Sequence, residues 1–215
     1  RPGAVSVALF LEQNGYKQLY ARRRGNTFEY YTRNILRTAS LPPAARPTPR
    51  CYCGVLKRDH NDTEHPFAQG CYILLTGETP KDVLNALVSK ARSPENTDGR
   101  DVKAVIGSSV LSVGISLFNV REVHVLELWY HFNLIEQVVG RAIRFQSHKL
   151  LPPEKRNVSV YLYCATLPSD ATVAVETTDE RAYRLAYMKS RKTAHVSRIL
   201  KMNALDCMLN KNGNQ

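Results

Sequence analysis

Three side chains able to grip an oxyanion recur at intervals of four and three residues: Gln137, Arg141 and Arg144. On a helix these are positions i, i+4 and i+7, so they share one face. Ile135, Val138, Val139 and Ala142 fall on the other side and predict the buried face. Two fixed guanidiniums make a site for a triphosphate or another oxyanion, because Arg stays charged and meets phosphate oxygens in fork geometry. In nucleoside triphosphate hydrolysis such an Arg neutralises charge developing in the transition state. The same spacing also describes the solvated face of an ordinary amphipathic helix.

A second block lies upstream, from Val105 to Ser116, where an apolar run enters a stretch rich in Ser and Gly. Small residues such as Gly107 and Gly114 let backbone N–H groups approach phosphates, and the hydroxyls of Ser108 and Ser109 can donate to phosphate oxygens. Taken alone, the block reads equally as a flexible turn. Three weaker clusters follow. Arg22, Arg23 and Arg24, with Tyr16, Tyr20, Tyr30 and Tyr31 nearby, could bind strand phosphates and stack bases, or form a charged surface. Cys51, Cys53, His60 and His65 are spaced Cys-x-Cys-x6-His-x4-His; zinc sites usually open with two residues between the cysteines, so a plain loop without zinc is the expectation. Trp129 reads as a packing residue, His124 as a satisfied strand histidine, and His148 as a further contact continuing the Gln137 face.

The elements that must position these groups emerge from hydrophobic patterning. Ala4–Leu11 predicts a helix stopped at Asn14-Gly15. Residues 16–70 show no sustained periodicity and hold a Pro-rich stretch, so they are expected to be an insertion or long loop. Beyond it, 71–76, 103–109, 122–128 and 158–165 predict strands, and 80–92, 133–145, 178–188 and 194–209 predict helices. Apolar strands alternating with helices imply an α/β fold with a parallel sheet covered on both faces, and ligands in such sheets sit at the carboxyl ends of the strands.

In this order the two blocks resemble motifs V and VI of superfamily 2 helicases. Gln137, Gly140, Arg141 and Arg144 meet the motif VI pattern Gln-x-x-Gly-Arg-x-x-Arg. The continuation through Phe145-Gln146-Ser147-His148, Leu150-Leu151-Pro152 and Arg156-Asn157-Val158, with Ala204-Leu205-Asp206-Cys207-Met208-Leu209-Asn210 near the end, resembles the transcription-associated helicases of large nucleocytoplasmic DNA viruses. Poxvirus nucleoside triphosphatase I and the early transcription factor small subunit are of that type. The resemblance spans roughly 71–210. It implies a RecA-like second motor domain: residues 1–15 its start, 16–70 a basic insertion, 71–168 its core and 169–215 a helical extension. It also implies that Arg141 and Arg144 reach the ATP phosphates, with Gln137 coupling ATP to the cleft. Gly140, Gly114 and Ile115 would lie at the nucleotide. Ser108, Ser109, Thr76 and Gly77 would contact nucleic acid, joined by the Arg22–Arg24 cluster. One departure stands at Ser116, where many relatives carry an acid.

ATP with Mg²⁺ is then the implied cofactor, held mainly by a first RecA-like domain of the same chain. No Gly is followed by Lys, so the Walker A loop is absent from these residues, and the chain by itself is expected to be inactive. Asp179-Glu180 mimics an acidic helicase box but opens a helix behind a Thr, where acids suit the dipole. The 215 residues carry a net charge of +11 and a pI near 9.6, which favours a polyanionic partner, nucleic acid foremost, within a transcription machinery. Five Cys, an odd number, read as reduced thiols of an intracellular protein, in host cytoplasm or virion if viral. The longest uncharged run, 104–120, is too polar to cross a bilayer, so no membrane partner is expected. Beginning at Arg1, the chain reads as a piece of a longer polypeptide. The rival readings are a non-catalytic nucleic-acid-binding module of helicase-like fold and a zinc-dependent interaction domain.

Overall fold

The computed structural model describes residues 2–36, 41–108, 114–127, 129–167 and 176–204. In chain order the elements are α1 (Pro2–Gln13), β1 (Lys17–Arg24), β2 (Thr27–Arg33), β3 (Cys71–Leu75), α2 (Lys81–Ala91), β4 (Ala104–Gly107), β5 (Glu122–Val125), α3 (Phe132–Ala142), β6 (Ser159–Leu162) and α4 (Thr178–Met202). Two units divide them: 1–121 with 141–158, and 122–140 with 159–215.

The first unit is built on a four-stranded sheet in the order β2-β1-β3-β4. Strands β1, β3 and β4 run parallel, and β2 runs antiparallel to β1. Strand β3 shows why an unbroken apolar run was needed. Side chains alternate between faces, so Cys71, Ile73 and Leu75 meet Val83, Leu87 and Val88 of α2, while Tyr72 and Leu74 meet Ala4, Ala8 and Leu11 of α1. Tyr72, Ile73 and Leu75 are wholly buried. The Tyr72 hydroxyl donates to the buried Glu12 carboxylate (2.7 Å), which also accepts from the N–H groups of Ile35 and Leu36 (2.7 Å each). Burial, reinforced by Glu12, raises the Tyr72 hydroxyl far above its ordinary value.

The stop expected after α1 is present. Gly15 adopts φ +89°, and Tyr16 N–H donates back to Leu11 (3.1 Å). A Cβ on Gly15 would lie 2.1 Å from the Thr48 carbonyl oxygen, so only Gly fits this corner.

The second unit pairs β5 with β6 in parallel and carries α4. Thr177 caps α4 and accepts from Glu180 N–H, while the Glu180 carboxylate accepts from Thr177 N–H (2.7 Å). Asp179 accepts from Ala165 N–H (2.9 Å). Glu180 is thus committed to capping α4, and Asp179 ties the start of the helix to Ala165.

Four expectations need correction. The sheet is mixed, because β2 returns antiparallel beside β1. Residues 16–70 are not irregular throughout, since they supply β1 and β2, and β1 lies inside the sheet rather than at its edge. The two closing helices are one, α4, because 178–202 contains neither Gly nor Pro to break it. Helix α3 stops at Ala142, so Arg144 lies beyond it rather than on its seventh position. An α/β fold with a mixed sheet flanked by helices remains, and it is broadly RecA-like.

Candidate functional site

The segment after Gly114 and the turn after α3 are sewn together within the first unit. Leu117 N–H donates to the Arg141 carbonyl (3.0 Å), and Asn119 N–H to that of Ser147 (3.0 Å). His148 Nε2 donates to the Val120 carbonyl (2.6 Å), which leaves Nδ1 to accept from the Ser147 hydroxyl (2.8 Å). Gln146 takes a left-handed backbone (φ +59°), closing the turn so that Ser147 N–H reaches the Arg144 carbonyl (3.0 Å). From this frame the exposed Arg144 side chain reaches across, and its Nη1 donates to the Ser116 hydroxyl. The geometry sets an exposed guanidinium at the surface with one donor anchored on Ser116, a form suited to an oxyanion.

The remaining expected residues divide. Arg141 is half-buried in the last turn of α3, and Gln137 is exposed one turn earlier. Gly140 has open space where a Cβ would stand, so sterics do not explain it. Gly114 needs its φ of +73°, which L side chains rarely adopt. Ile115 points into the core beside Leu19 and Leu87 rather than toward a ligand. Thr76-Gly77 and Ser108 follow the carboxyl ends of the adjacent parallel strands β3 and β4; Thr79 Oγ1 holds Thr76 N–H (3.1 Å) and Ser108 N–H donates to Leu75 (3.2 Å). Ser109 lies outside the described residues, as does the 205–210 segment. Arg22, Arg23 and Arg24 flank the Gly25–Asn26 hairpin turn; Arg24 pairs with Glu29 (2.5 Å) and Arg23 approaches Asp82 (3.8 Å). His148 is a structural clasp rather than a further contact. Trp129 is half exposed, its ring 5.8 Å from Tyr130, rather than packed into a core. His124 is satisfied as expected, by Tyr163 (2.8 Å) and Glu122 (3.2 Å). Sequence reasoning missed Ser116 and Ser147 as the partners that hold Arg144 and its turn.

The reading of 51–65 as a plain loop without zinc is overturned. One donor atom from each of Cys51, Cys53, His60 and His65 lies within 4.8 Å of all the others. The cysteines are not disulfide-bonded, and the His60 side chain is only 3% exposed. A tight turn makes the short cysteine spacing work: Gly54 N–H donates to the Cys51 carbonyl (2.9 Å) and Cys51 N–H to that of Val55 (2.8 Å), with Gly54 at φ +98°. Burial pushes the Cys51 thiol up and is the largest single influence. Hydrogen bonds from the backbone of Cys53 and Ala68, the Cys53 side chain and the backbone of Tyr52 together outweigh it and hold the thiol below its ordinary value.

The fold is superfamily 2 helicase/NTPase-like, a likeness that rests on sequence relatives. A putative ATP-dependent RNA helicase of Acanthamoeba polyphaga mimivirus is 32% identical over 181 residues, 77% of this chain and 15% of that protein. A second putative ATP-dependent RNA helicase of the same virus is 38% identical over 120 residues, 56% of this chain and 20% of its length. The early transcription factor large subunit homolog of African swine fever virus (isolate Tick/Malawi/Lil 20-1/1983) is 32% identical over 135 residues, 62% of this chain and 12% of that protein. The chain is therefore related to viral RNA helicases and transcription factors, and it spans a fifth or less of the length of these relatives. No protein-family model matches it. Among the described residues, no helix is long and apolar enough to cross a membrane.

Proposed function

We propose that this chain is the second motor domain of an ATP-dependent superfamily 2 helicase or translocase acting on DNA or RNA in viral transcription. Residues 71–168 would carry the motor motifs and 169–215 a C-terminal extension. The observation that carries the reading is the Arg144–Ser116 contact, with the Leu117–Arg141 bond behind it. Two segments far apart in sequence, each resembling a helicase motif, meet and present a guanidinium outward. In this reading Arg144 is the arginine finger, Arg141 supports the nucleotide phosphates, Gln137, Gly140 and Gly114 lie on the nucleotide side, and Ile115 anchors that segment in the core. Ser108, Ser109, Thr76 and Gly77 contact the nucleic-acid backbone, with Arg22, Arg23 and Arg24 adding charge. ATP is gripped by a first RecA-like domain of the longer protein. The relatives' names, two RNA helicases and a transcription factor subunit, support the setting.

The test is Arg144→Ala in the full-length enzyme. An arginine finger contributes on the order of 10³- to 10⁵-fold in rate, so turnover should fall by at least about 10³ while the melting temperature holds. Near-wild-type turnover sinks the proposal. A joint collapse of turnover and melting temperature makes Arg144 structural instead. The 215 residues alone should release no phosphate from ATP, since they lack a Gly-Lys pair.

A further inference from the structure

We propose that Cys51, Cys53, His60 and His65 bind one zinc ion in a closed, four-coordinate structural site. Zinc bonds of about 2.3 Å to sulfur and 2.0 Å to nitrogen require tetrahedral edges of roughly 3.3–3.8 Å. The four donors, already within 4.8 Å of one another, need shifts of about 1 Å at most to meet that geometry.

The histidines are prepared for it. His60 Nδ1 faces the Asp62 carboxylate (2.8 Å), and His65 Nδ1 faces the Pro66 carbonyl (3.1 Å). Both partners only accept, so each Nδ1 carries the proton and each Nε2 is left with a lone pair to donate. A carboxylate behind a ligating histidine fixes its tautomer and raises its basicity. Asp62 is itself held, since the same oxygen accepts from Phe67 N–H (3.0 Å). Aromatic walls orient the rings: Phe67 meets His60 edge-on at 5.4 Å, and Tyr52 lies 4.7 Å from His65.

Two thiolates and two imidazoles in a tetrahedron select zinc among the common ions. Four protein donors leave no position for water or substrate, so the ion's role is structural. It would clip the 51–65 loop to the sheet, because Cys51 bridges Gln69 and Gly70 N–H donates to Arg50 (2.9 Å) just before β3. Metal binding then stabilises the fold, since the unfolded chain offers no assembled site.

Zinc per molecule, measured by elemental mass spectrometry on the full-length protein purified without chelator, tests the assignment. The wild type should carry one equivalent more than Cys53→Ser and His65→Ala, while His65→Cys, which restores a donor, should keep it. Cobalt exchanged into the wild type should give the thiolate-to-cobalt band and the strong visible bands of a tetrahedral site, both absent from Cys53→Ser. Circular dichroism verifies that the His65 pair is folded. Should Cys53→Ser fail to fold, the His65→Ala and His65→Cys pair decides alone. Equal zinc content in wild type and His65→Ala, no cobalt bands in the wild type, or iron or copper in place of zinc overturns it.

Discussion

The loop around Cys51 and the turn around Arg144 are both irregular and polar, and they are built on opposite plans. In the loop the donor atoms converge on one point: His60 is nearly sealed from solvent, Asp62 serves two partners, and both rings have a defined tautomer. In the turn the backbone and His148 are fully committed, yet the side chain they support, Arg144, is left at the surface with a single serine behind it. A site that closes on itself holds an ion for stability. A site that ends in an exposed guanidinium is complete only when something anionic arrives.

The contrast can be broken at its working end first. Arg144→Lys keeps the charge and loses the fork, so if fork geometry matters, steady-state turnover of the full-length enzyme should fall at least about 100-fold. A fall of only a few-fold would mean that the turn supplies charge alone. At the closed end, Asp62→Asn removes the carboxylate behind His60, and competition with a chromophoric chelator should show zinc affinity down about 10- to 100-fold. No change would mean that Asp62 only shapes the loop. The frame beneath Arg144 comes next. His148→Ala unpairs the Val120 carbonyl and leaves the Ser147 hydroxyl only its Ala142 and Arg144 partners, and thermal melting should report about 1–3 kcal/mol lost. The smallest effect belongs to the exposed pair of Arg184 with Glu176 (2.7 Å) in the second unit. A hydrogen bond from Arg184 holds the Glu176 carboxyl below its ordinary value. Its contribution is therefore present above that value and vanishes as pH falls through the depressed one. Melting curves of Glu176→Gln and wild type should be nearly superimposable at neutral pH and merge in acid.

Much of the frame was legible in the sequence because burial writes periodicity. Strand β3 is covered on both faces and shows an unbroken apolar run, and α2 repeats its apolar residues at threes and fours. The hairpin of β1 and β2 was illegible for the converse reason. Strand β2 is exposed at nearly every position, and Arg22–Arg24 carry no apolar signal, so backbone pairing alone marks them. The one available cue was Gly25-Asn26, a two-residue hairpin turn with Gly25 at φ +61°. The Arg144 turn was half legible. The residue types and their resemblance pointed to it, but the helix end at Ala142 and the grip of Ser116 depend on contacts between distant segments. The Cys/His cluster was visible and misjudged, because linear spacing counts residues, whereas the turn at Gly54 and the bridge from Cys51 to Gln69 set the distances.

The position of β1 in the sheet also imposes an order of events on the folding chain. Its pairing with β2 closes a two-residue turn and is a local step, on the order of microseconds. Its pairing with β3 joins Lys17 to Cys71 across everything between them, and the entropy of closing that span must be met before any contact rewards it. The bridges Arg50↔Leu56 and Cys51↔Gln69 are nested inside the span, so forming them first shortens the remaining search. The hairpin and the nested turn are thus expected to form early, with the parallel pair that unites the sheet as the expected slow step. Until it forms, β1 offers an unpaired edge to any other extended chain, so the nascent protein is most prone to aggregation in that interval.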